Sequence, residues 1–274
     1  MGKLLSALLI ALIVGAVGTS MVMAKETVRV SGSTTVLPLA EGGAEAFNGE
    51  QSDYQVVVTG GGTGVGIKNA AEGNSEIGMA SREVTADEKS QFGDNFQENA
   101  VGYDGIVIAV SKQIYDAGVT SLSKDQVKKI YTGEINNWKD LGGPDKLILV
   151  IAREQGSGTR DTFNEDIMGN KKAETPGVNT VAGSNAETRT ALIGSDKAIG
   201  YLGFSYAEDG AVGAITLDGV KPTAETIKDG SYELARKLYF YTFGDARPGA
   251  QAFIDFMVGA KGQKVAEEYG FVQL

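Results

Sequence analysis

Residues Leu147–Ile167 read LILVIAREQGSGTRDTFNEDI. The six apolar residues Leu147–Ala152 predict a strand buried on both faces, and Thr159–Ile167 predicts the helix behind it. Between them, Arg153-Glu154-Gln155-Gly156-Ser157-Gly158-Thr159-Arg160 is a tight glycine and hydroxyl turn. A buried strand followed at once by a helix is half of a βαβ unit, the building block of parallel sheets. Such a turn also sets free backbone N–H groups and hydroxyls at a helix N-terminus, where the aligned peptide dipoles amount to roughly half a positive charge.

The same rhythm runs outward in both directions. Toward the N-terminus, Glu26–Ser31, Gln55–Val58 and Ile77–Ala80 read as strands, each followed by a helix, at Pro38–Phe47, Val65–Ala71 and Glu83–Phe92. Ile106–Val110 has the pattern of another buried strand, and Lys124–Tyr131 that of a helix stopped at Gly133. Near the end, Lys237–Phe243 is an aromatic strand and Pro248–Tyr269 reads as one long helix. The whole predicts an α/β fold with a largely parallel sheet, without internal repeats.

Three further turns match the first: Ser31-Gly32-Ser33-Thr34-Thr35, Gly60-Gly61-Gly62-Thr63-Gly64 and Ala80-Ser81-Arg82. Any one of them alone is an ordinary helix cap. Together, four such turns at the carboxyl ends of strands, with arginine among them, describe an oxyanion site, because that is where open α/β sheets gather their ligands.

Composition narrows the chemistry. The 274 residues include no histidine and no cysteine, with 35 acidic and 25 basic side chains, a net charge of -10. There is no Ser-His-Asp triad, imidazole metal ligand, thiol nucleophile, iron–sulfur cluster or disulfide to be made. The acidic balance argues against nucleic acid as a partner, since that role needs a basic surface. Gly61–Lys68 fits neither a P-loop nor a dinucleotide fingerprint. Ser121-Leu122-Ser123-Lys124 matches S-x-x-K, but no K-T-G accompanies it, and it reads as a helix cap.

Residues 1–24 read as a secretory signal peptide: Lys3, an apolar run Leu4–Val17, and a small-residue end Val22-Met23-Ala24. Fourteen apolar residues fall short of the roughly 20 a transmembrane helix needs. The chain is therefore expected to be exported, to the periplasm or the outer face of the cytoplasmic membrane, and without cysteine it cannot be a Cys-anchored lipoprotein.

Gly32-Ser33-Thr34-Thr35, the Thr63-Gly64 loop, Ala80-Ser81-Arg82, Tyr131-Thr132-Gly133-Glu134-Ile135-Asn136-Asn137-Trp138, Arg153 with Gly156-Ser157-Gly158-Thr159, Ala198-Ile199-Gly200-Tyr201 and Leu238–Thr242 occur in order along the chain. In this combination the chain resembles the phosphate-binding receptors of ABC importers. The resemblance implies a type II-like, two-lobed periplasmic-binding-protein fold with the ligand cleft between the lobes. Two hinge crossings would lie near Asn99–Gly105 and Leu238–Phe243. Lobe I would hold residues 25–104 plus 243–274, and lobe II residues 105–242.

It further implies inorganic phosphate as ligand, a membrane-embedded ABC permease as partner, a monomer, no cofactor, no metal and no catalysis. Carried over residue by residue, the ligand-binding set is Ser33, Thr34 as a hydroxyl donor, Thr35 as a backbone donor, Thr63, Gly64, Ser81, Arg82, Arg153, Ser157, Gly158 and Thr159. One departure stands out. Many relatives have an aspartate at the position of Arg82, accepting the proton of hydrogen phosphate and repelling sulfate. Here Arg82 either faces the ligand or turns to a carboxylate such as Asp104. Glu154 is the candidate substitute acceptor, and Gln155 stands where some relatives carry a carboxylate that orients the arginine. The alternatives are a receptor for sulfate, molybdate or tungstate, an exported phosphate-ester hydrolase, and a sensor or adhesion protein on the same fold.

Overall fold

The computed structural model describes residues 25–274, so the signal-peptide reading of residues 1–24 lies outside the described residues. Among those described, no helix is long and apolar enough to cross a membrane.

The first part of the chain runs β1 (Glu26–Gly32), α1 (Leu37–Glu50), β2 (Tyr54–Gly60), α2 (Thr63–Ala71), β3 (Ile77–Ala80), α3 (Ala86–Phe92) and the long β4 (Phe96–Val110). Next come α4 (Lys112–Asp116), β5 (Ser121–Leu122), α5 (Lys124–Thr132), β6 (Leu149–Arg153), α6 (Gly158–Phe163), β7 (Thr180–Ala182), α7 (Asn185–Ile193) and β8 (Ala198–Gly203). The short β9 (Gly213–Ala214), β10 (Thr216–Leu217) and α8 (Ala224–Lys228) lead into β11 (Ala235–Phe243), α9 (Pro248–Val258) and α10 (Ala260–Glu268).

The main sheet has the order β2-β1-β3-β11-β4-β8-β6-β7. It is parallel at both ends, where β1 pairs β2 and β3, and β6 pairs β7 and β8. It is antiparallel in the middle, where β11 pairs β3 and β4, and β4 pairs β8. The largely parallel sheet expected from the βαβ rhythm is thus interrupted by the two strands that link its halves. β4 pairs β11 through Phe96–Gly105 and then β8 through Ile106–Val110, so a single strand passes from one half to the other.

Two large apolar cores, beside a small cluster of Ile67, Ala80, Tyr239 and Tyr241, make the fold two-lobed. One gathers Val28, Val30, Leu39, Phe47, Ile77, Met79, Phe240, Phe253 and Met257 from both ends of the chain. The other gathers Ile106–Val110, Tyr131, Trp138, Ile151, Phe163, Tyr201 and Leu202 from its middle, with Val272 joining from the C-terminal segment. Each core is fed by strands and helices that alone would expose an apolar face, and burying one such side chain is worth about 1.5–3 kcal/mol.

Two local expectations change. The terminal helix is two helices, broken at Gly259, whose backbone is extended (φ -77, ψ 171). The break lets α10 fold back until Gly262 meets Met257, where a side-chain carbon would lie 2.3 Å from Met257 Cα. The helix after β6 ends its α portion at Phe163 and continues as a π-turn, Asn164–Met168. By contrast Ser123 caps α5 with a capping box shared with Gln126, as the cap reading of that serine expects.

Candidate functional site

Register aligns the turns. Gly32 of β1 pairs Gly60 of β2 and Met79 of β3, so the three strands end level and their turns emerge side by side. The Ser33 N–H donates to Met79 O at 2.9 Å and the Gly62 N–H to Gly32 O at 3.0 Å, tying the turns together. In the other lobe Arg153 ends β6 opposite Ala182 of β7, which places the turns before α6 and α7 next to one another.

Arg153 sits on an aromatic support. Phe163 and Tyr201 stack with ring centroids 4.0 Å apart, Tyr131 leans on Phe163 at 4.7 Å, and the Tyr201 hydroxyl accepts from the Arg153 backbone N–H at 3.1 Å. Burial pushes the Tyr201 phenol up to about 12, so it stays protonated. The guanidinium of Arg153 is 1% exposed. Its Nε and Nη2 donate to the two carboxylate oxygens of Glu154 at 3.0 and 2.9 Å, and Nη2 also to Thr34 Oγ1 at 3.2 Å. Glu154, expected as a substitute proton acceptor, also clamps the arginine, a role expected at the position of Gln155.

Hydroxyls from both lobes meet at this point. Thr35 Oγ1 lies 3.0 Å from Thr159 Oγ1, and Thr63 Oγ1 lies 3.2 Å from Ser81 Oγ while accepting from the Ser81 N–H at 3.1 Å. Ser157 caps α6 by accepting from the Arg160 N–H at 3.3 Å, which leaves its own proton free to donate. Gly158 is packed so closely that a side-chain carbon there would stand 2.5 Å from Ser81 Oγ and 2.6 Å from Thr63 Oγ1. Three of the expected residues serve other bonds. Ser33 Oγ accepts from the Thr35 N–H at 3.3 Å, so the Thr35 backbone donor is engaged within its own turn and Thr35 joins the cluster through its hydroxyl. The Gly64 N–H donates to Gly156 O at 3.0 Å, a backbone bond between the lobes.

Arg82 turns away from the hydroxyl cluster. Its Nε donates to Asp161 Oδ2 at 2.7 Å, Nη1 to Glu88 Oε2 at 2.8 Å and Glu83 O at 2.9 Å, and Nη2 to Glu88 Oε1 at 3.0 Å. Arg82 and Glu88 belong to one lobe and Asp161 to the other, so the cluster spans the cleft. Burial works against both charges, yet the pairing outweighs it, leaving the guanidinium raised and Glu88 held below the usual carboxylate range.

Two residues absent from the sequence reading complete the site, and with Arg82 turned away a different arginine joins Arg153. Arg236 of β11 is buried, and the two protons of its Nη2 are shared among three acceptors, Asp104 Oδ2 at 3.0 Å, Thr35 Oγ1 at 3.1 Å and Thr159 Oγ1 at 2.9 Å. Asp104 therefore pairs with Arg236 rather than Arg82. Burial raises the Asp104 carboxyl, partly offset by Arg236, and lowers the Arg236 guanidinium, partly offset by Asp104. Asn185, fully buried at the start of α7, donates through Nδ2 to Thr34 Oγ1 at 3.2 Å and Thr35 Oγ1 at 3.0 Å. Among the described residues, Arg153 Nη1 and Arg236 Nε and Nη1 are buried without any hydrogen-bond partner. Unpaired buried donors of this kind cost about 1–3 kcal/mol each, more when charged, and an anion is the chemistry that offsets it. No group of His, Asp or Glu side chains suited to a metal ion occurs among the described residues.

A family model described as a PBP superfamily domain matches residues 21–261. The phosphate-binding protein PstS of Bacillus subtilis is 35% identical over 251 residues, which cover 91% of this chain and 81% of that protein. That of Borreliella burgdorferi is 30% identical, covering 90% of each. Among solved structures, a putative phosphate ABC transporter substrate-binding protein from Clostridium perfringens with bound phosphate superposes with a TM-score of 0.84 at 38% identity, over 91% of this chain and 100% of that one. An ABC-type phosphate transport receptor from Vibrio cholerae gives 0.72 at 30% identity, over 90% and 100%.

Proposed function

From the premise that this chain belongs to the PBP superfamily and, within it, to the PstS family of phosphate-binding proteins, we propose that it binds inorganic phosphate outside the cytoplasm and delivers it to the permease of an ABC importer. The observation that carries this reading is the buried Arg153, clamped by Glu154 with Nη1 unpartnered, facing threonine hydroxyls that come from both lobes. The tetrahedral oxygens of the anion take their hydrogen bonds from Arg153, Thr34, Thr35, Thr159, Ser157, Thr63 and Ser81, assisted by the N-termini of helices α2 and α6. Arg82 is left out of this set and assigned to the inter-lobe cluster.

Because the donors are divided between two lobes, only the closed arrangement satisfies the anion, and binding energy drives closure. Residues 25–104 move as one lobe together with the end of the chain from about Leu238, since Leu238 and Phe240 pack in its core and β11 pairs β3 there, and the middle of the chain moves as the other, with β4 and β11 as hinges. The chain acts as a monomer and releases the anion chemically unchanged, so it is a receptor and not an enzyme. The acidic envelope slows the encounter but not the final contact, since surface charge is screened over about 8 Å, whereas the buried donors act at hydrogen-bond distance.

Calorimetry tests this. Phosphate should bind the purified chain, and Arg153→Ala should remove one charged donor worth about 1.5–3 kcal/mol, or roughly 10- to 150-fold in affinity. Thr159→Val should weaken binding in the same direction. Unchanged affinity in both variants with an intact fold, or no phosphate binding at all, would refute the assignment.

A further inference from the structure

The main sheet ends in β2 on one side and β7 on the other. An edge strand presents a row of unpaired N–H and C=O groups, and proteins blunt such edges with short strands, lysine, proline or bulges. β7 is three residues long, so its length protects it. β2 has none of these devices. Its seven residues, Tyr54-Gln55-Val56-Val57-Val58-Thr59-Gly60, include no charge and no proline, and they pair β1 in an unbroken register. Val57 is 46% exposed. An uncharged strand rich in β-branched residues is the kind that pairs with another chain.

Two side chains from the end of α1 cover part of that edge. The Val56 N–H donates to Asn48 Oδ1 at 2.8 Å, and Asn48 Nδ2 donates to Val56 O at 2.9 Å. The Tyr54 N–H donates to Gln51 Oε1 at 2.7 Å, and Gln51 Nε2 donates to Tyr54 O at 2.9 Å. Each amide thus exchanges both bonds with a single residue, as the two members of a hydrogen-bonded antiparallel pair do. Gln51 Oε1 also accepts from the Asp53 N–H at 2.7 Å, which by itself would make Gln51 an ordinary turn residue. The Asn48 amide has no such second task, since its bonds are the two to Val56. Alternate residues of a strand turn their backbone groups to opposite sides, so Tyr54, Val56 and Val58 face outward while Gln55, Val57 and Thr59 face β1. Asn48 and Gln51 cover the first two outward positions, and among the described residues Val58 has no comparable partner.

We propose that the β2 edge is a latent self-pairing surface, fitted to the β2 edge of a second copy of this chain, and that Asn48 and Gln51 keep it shut by taking the hydrogen bonds the second copy would make. Three observations point to a like copy as the partner. The outward row Tyr54, Val56, Val58, laid antiparallel against itself about a two-fold axis, sets Val56 against its counterpart and Tyr54 against Val58, with a donor facing an acceptor at every position. No charged side chain stands on the strand, so no local charge opposes the contact. The exposed Val57 would gain cover from it. The inference goes beyond phosphate binding and does not depend on it; it supplies a physical reason for the monomer proposed above.

Sedimentation velocity and amide hydrogen exchange on the purified chain test this. In the unaltered chain the Val56 amide should exchange roughly 2- to 10-fold more slowly than that of Val58, the worth of one net hydrogen bond, although both point off the same edge. Asn48→Ala with Gln51→Ala uncovers all three outward positions, and alanine is well tolerated at the end of a helix. This double variant should show a species of twice the parent's mass that grows with concentration, with the Val58 amide now protected together with Val56. Adding Val57→Lys should restore the parent's mass, because lysine on an edge strand resists pairing. A folded double variant that keeps the parent's mass at every concentration would overturn the proposal. Association that survives Val57→Lys would also overturn it, since it would then arise from a loosened fold and not from this edge. Should the double variant fail to fold, Asn48→Ala alone gives the same readings in weaker form, and a Val58 amide as slow as Val56 in the unaltered chain would show that the edge is not guarded by these two residues. None of these outcomes bears on phosphate binding.

Discussion

Gly158→Ala isolates the closed state. The added carbon would stand 2.5 Å from Ser81 Oγ and 2.6 Å from Thr63 Oγ1, about 0.9 and 0.8 Å short of the 3.4 Å at which ordinary contact begins. Both oxygens belong to the other lobe and are bonded to each other at 3.2 Å, so neither retreats without breaking that contact. Overpacking of this size costs about 1–3 kcal/mol. Because the clash exists only when the lobes meet, the cost falls on closure, and phosphate should bind roughly 5- to 150-fold more weakly. Stability without ligand should move the other way. Gly158 is the first residue of α6, with a helical backbone that alanine adopts without strain, and reduced freedom of the unfolded chain contributes about 0.4–1 kcal/mol. Calorimetry for affinity and thermal melting without phosphate provide the two readings. Affinity equal to that of the parent chain would refute the placement of Ser81 and Thr63 across a closing cleft, and a lowered melting temperature would show that the clash persists in the open state.

Other outcomes follow from the same geometry. Arg82→Ala removes a pairing that spans the cleft, so the variant should close less readily and show weaker phosphate binding and a larger radius of gyration at saturating ligand in small-angle scattering. Glu88 is held below the usual carboxylate range, so the stability it contributes is present above the ordinary glutamate pKa and is lost as pH falls through its lowered one. The melting difference between the parent chain and Arg82→Ala should accordingly shrink in acid, and a difference that grows would contradict the sign. The single tryptophan, Trp138, is fully buried and donates from Nε1 to Lys197 O at 2.9 Å. Trp138→Phe leaves that carbonyl without its donor, and the loss of about 1–3 kcal/mol should lower the melting temperature by several degrees; an unchanged melting temperature would mean water takes over the bond.

How much of the site was legible depends on where each residue stands in its element. The turns before α1, α2 and α6 and after β3 announce themselves together, because four of them recur between strand and helix where any one alone would read as a cap. Asn185 had a fainter signal of the same kind, Gly183-Ser184-Asn185 at the end of a strand only three residues long. Arg236 had none. It lies within a strand between Ala235 and Lys237, where a charged residue normally marks the solvent face. Its burial depends on Asp104, which is 132 positions earlier in the chain and reached only because β4 and β11 pair side by side.

The behaviour of Arg82 makes the same point from the other direction. Its neighbour Ser81 belongs to the hydroxyl cluster, and adjacency alone would keep the arginine there. Its direction is decided by two carboxylates, Glu88 within its own lobe and Asp161 from the other. The break of the terminal helix is likewise local in cause and tertiary in outcome: glycine at 259 permits it, and the contact of Gly262 with Met257 uses it.

By itself, then, the order of residues determined the alternation of strand and helix, the chemistry excluded by the absence of histidine and cysteine, and the turns that carry backbone and hydroxyl donors, because each depends on periodicity or on neighbours within a few positions. Only the tertiary structure decided which charges meet. Arg236 with Asp104 is settled by strand pairing, and Arg82 with Asp161 by lobe contact. Electrostatic partners are fixed by distance in space and by burial, and a linear sequence specifies neither until the sheet has closed.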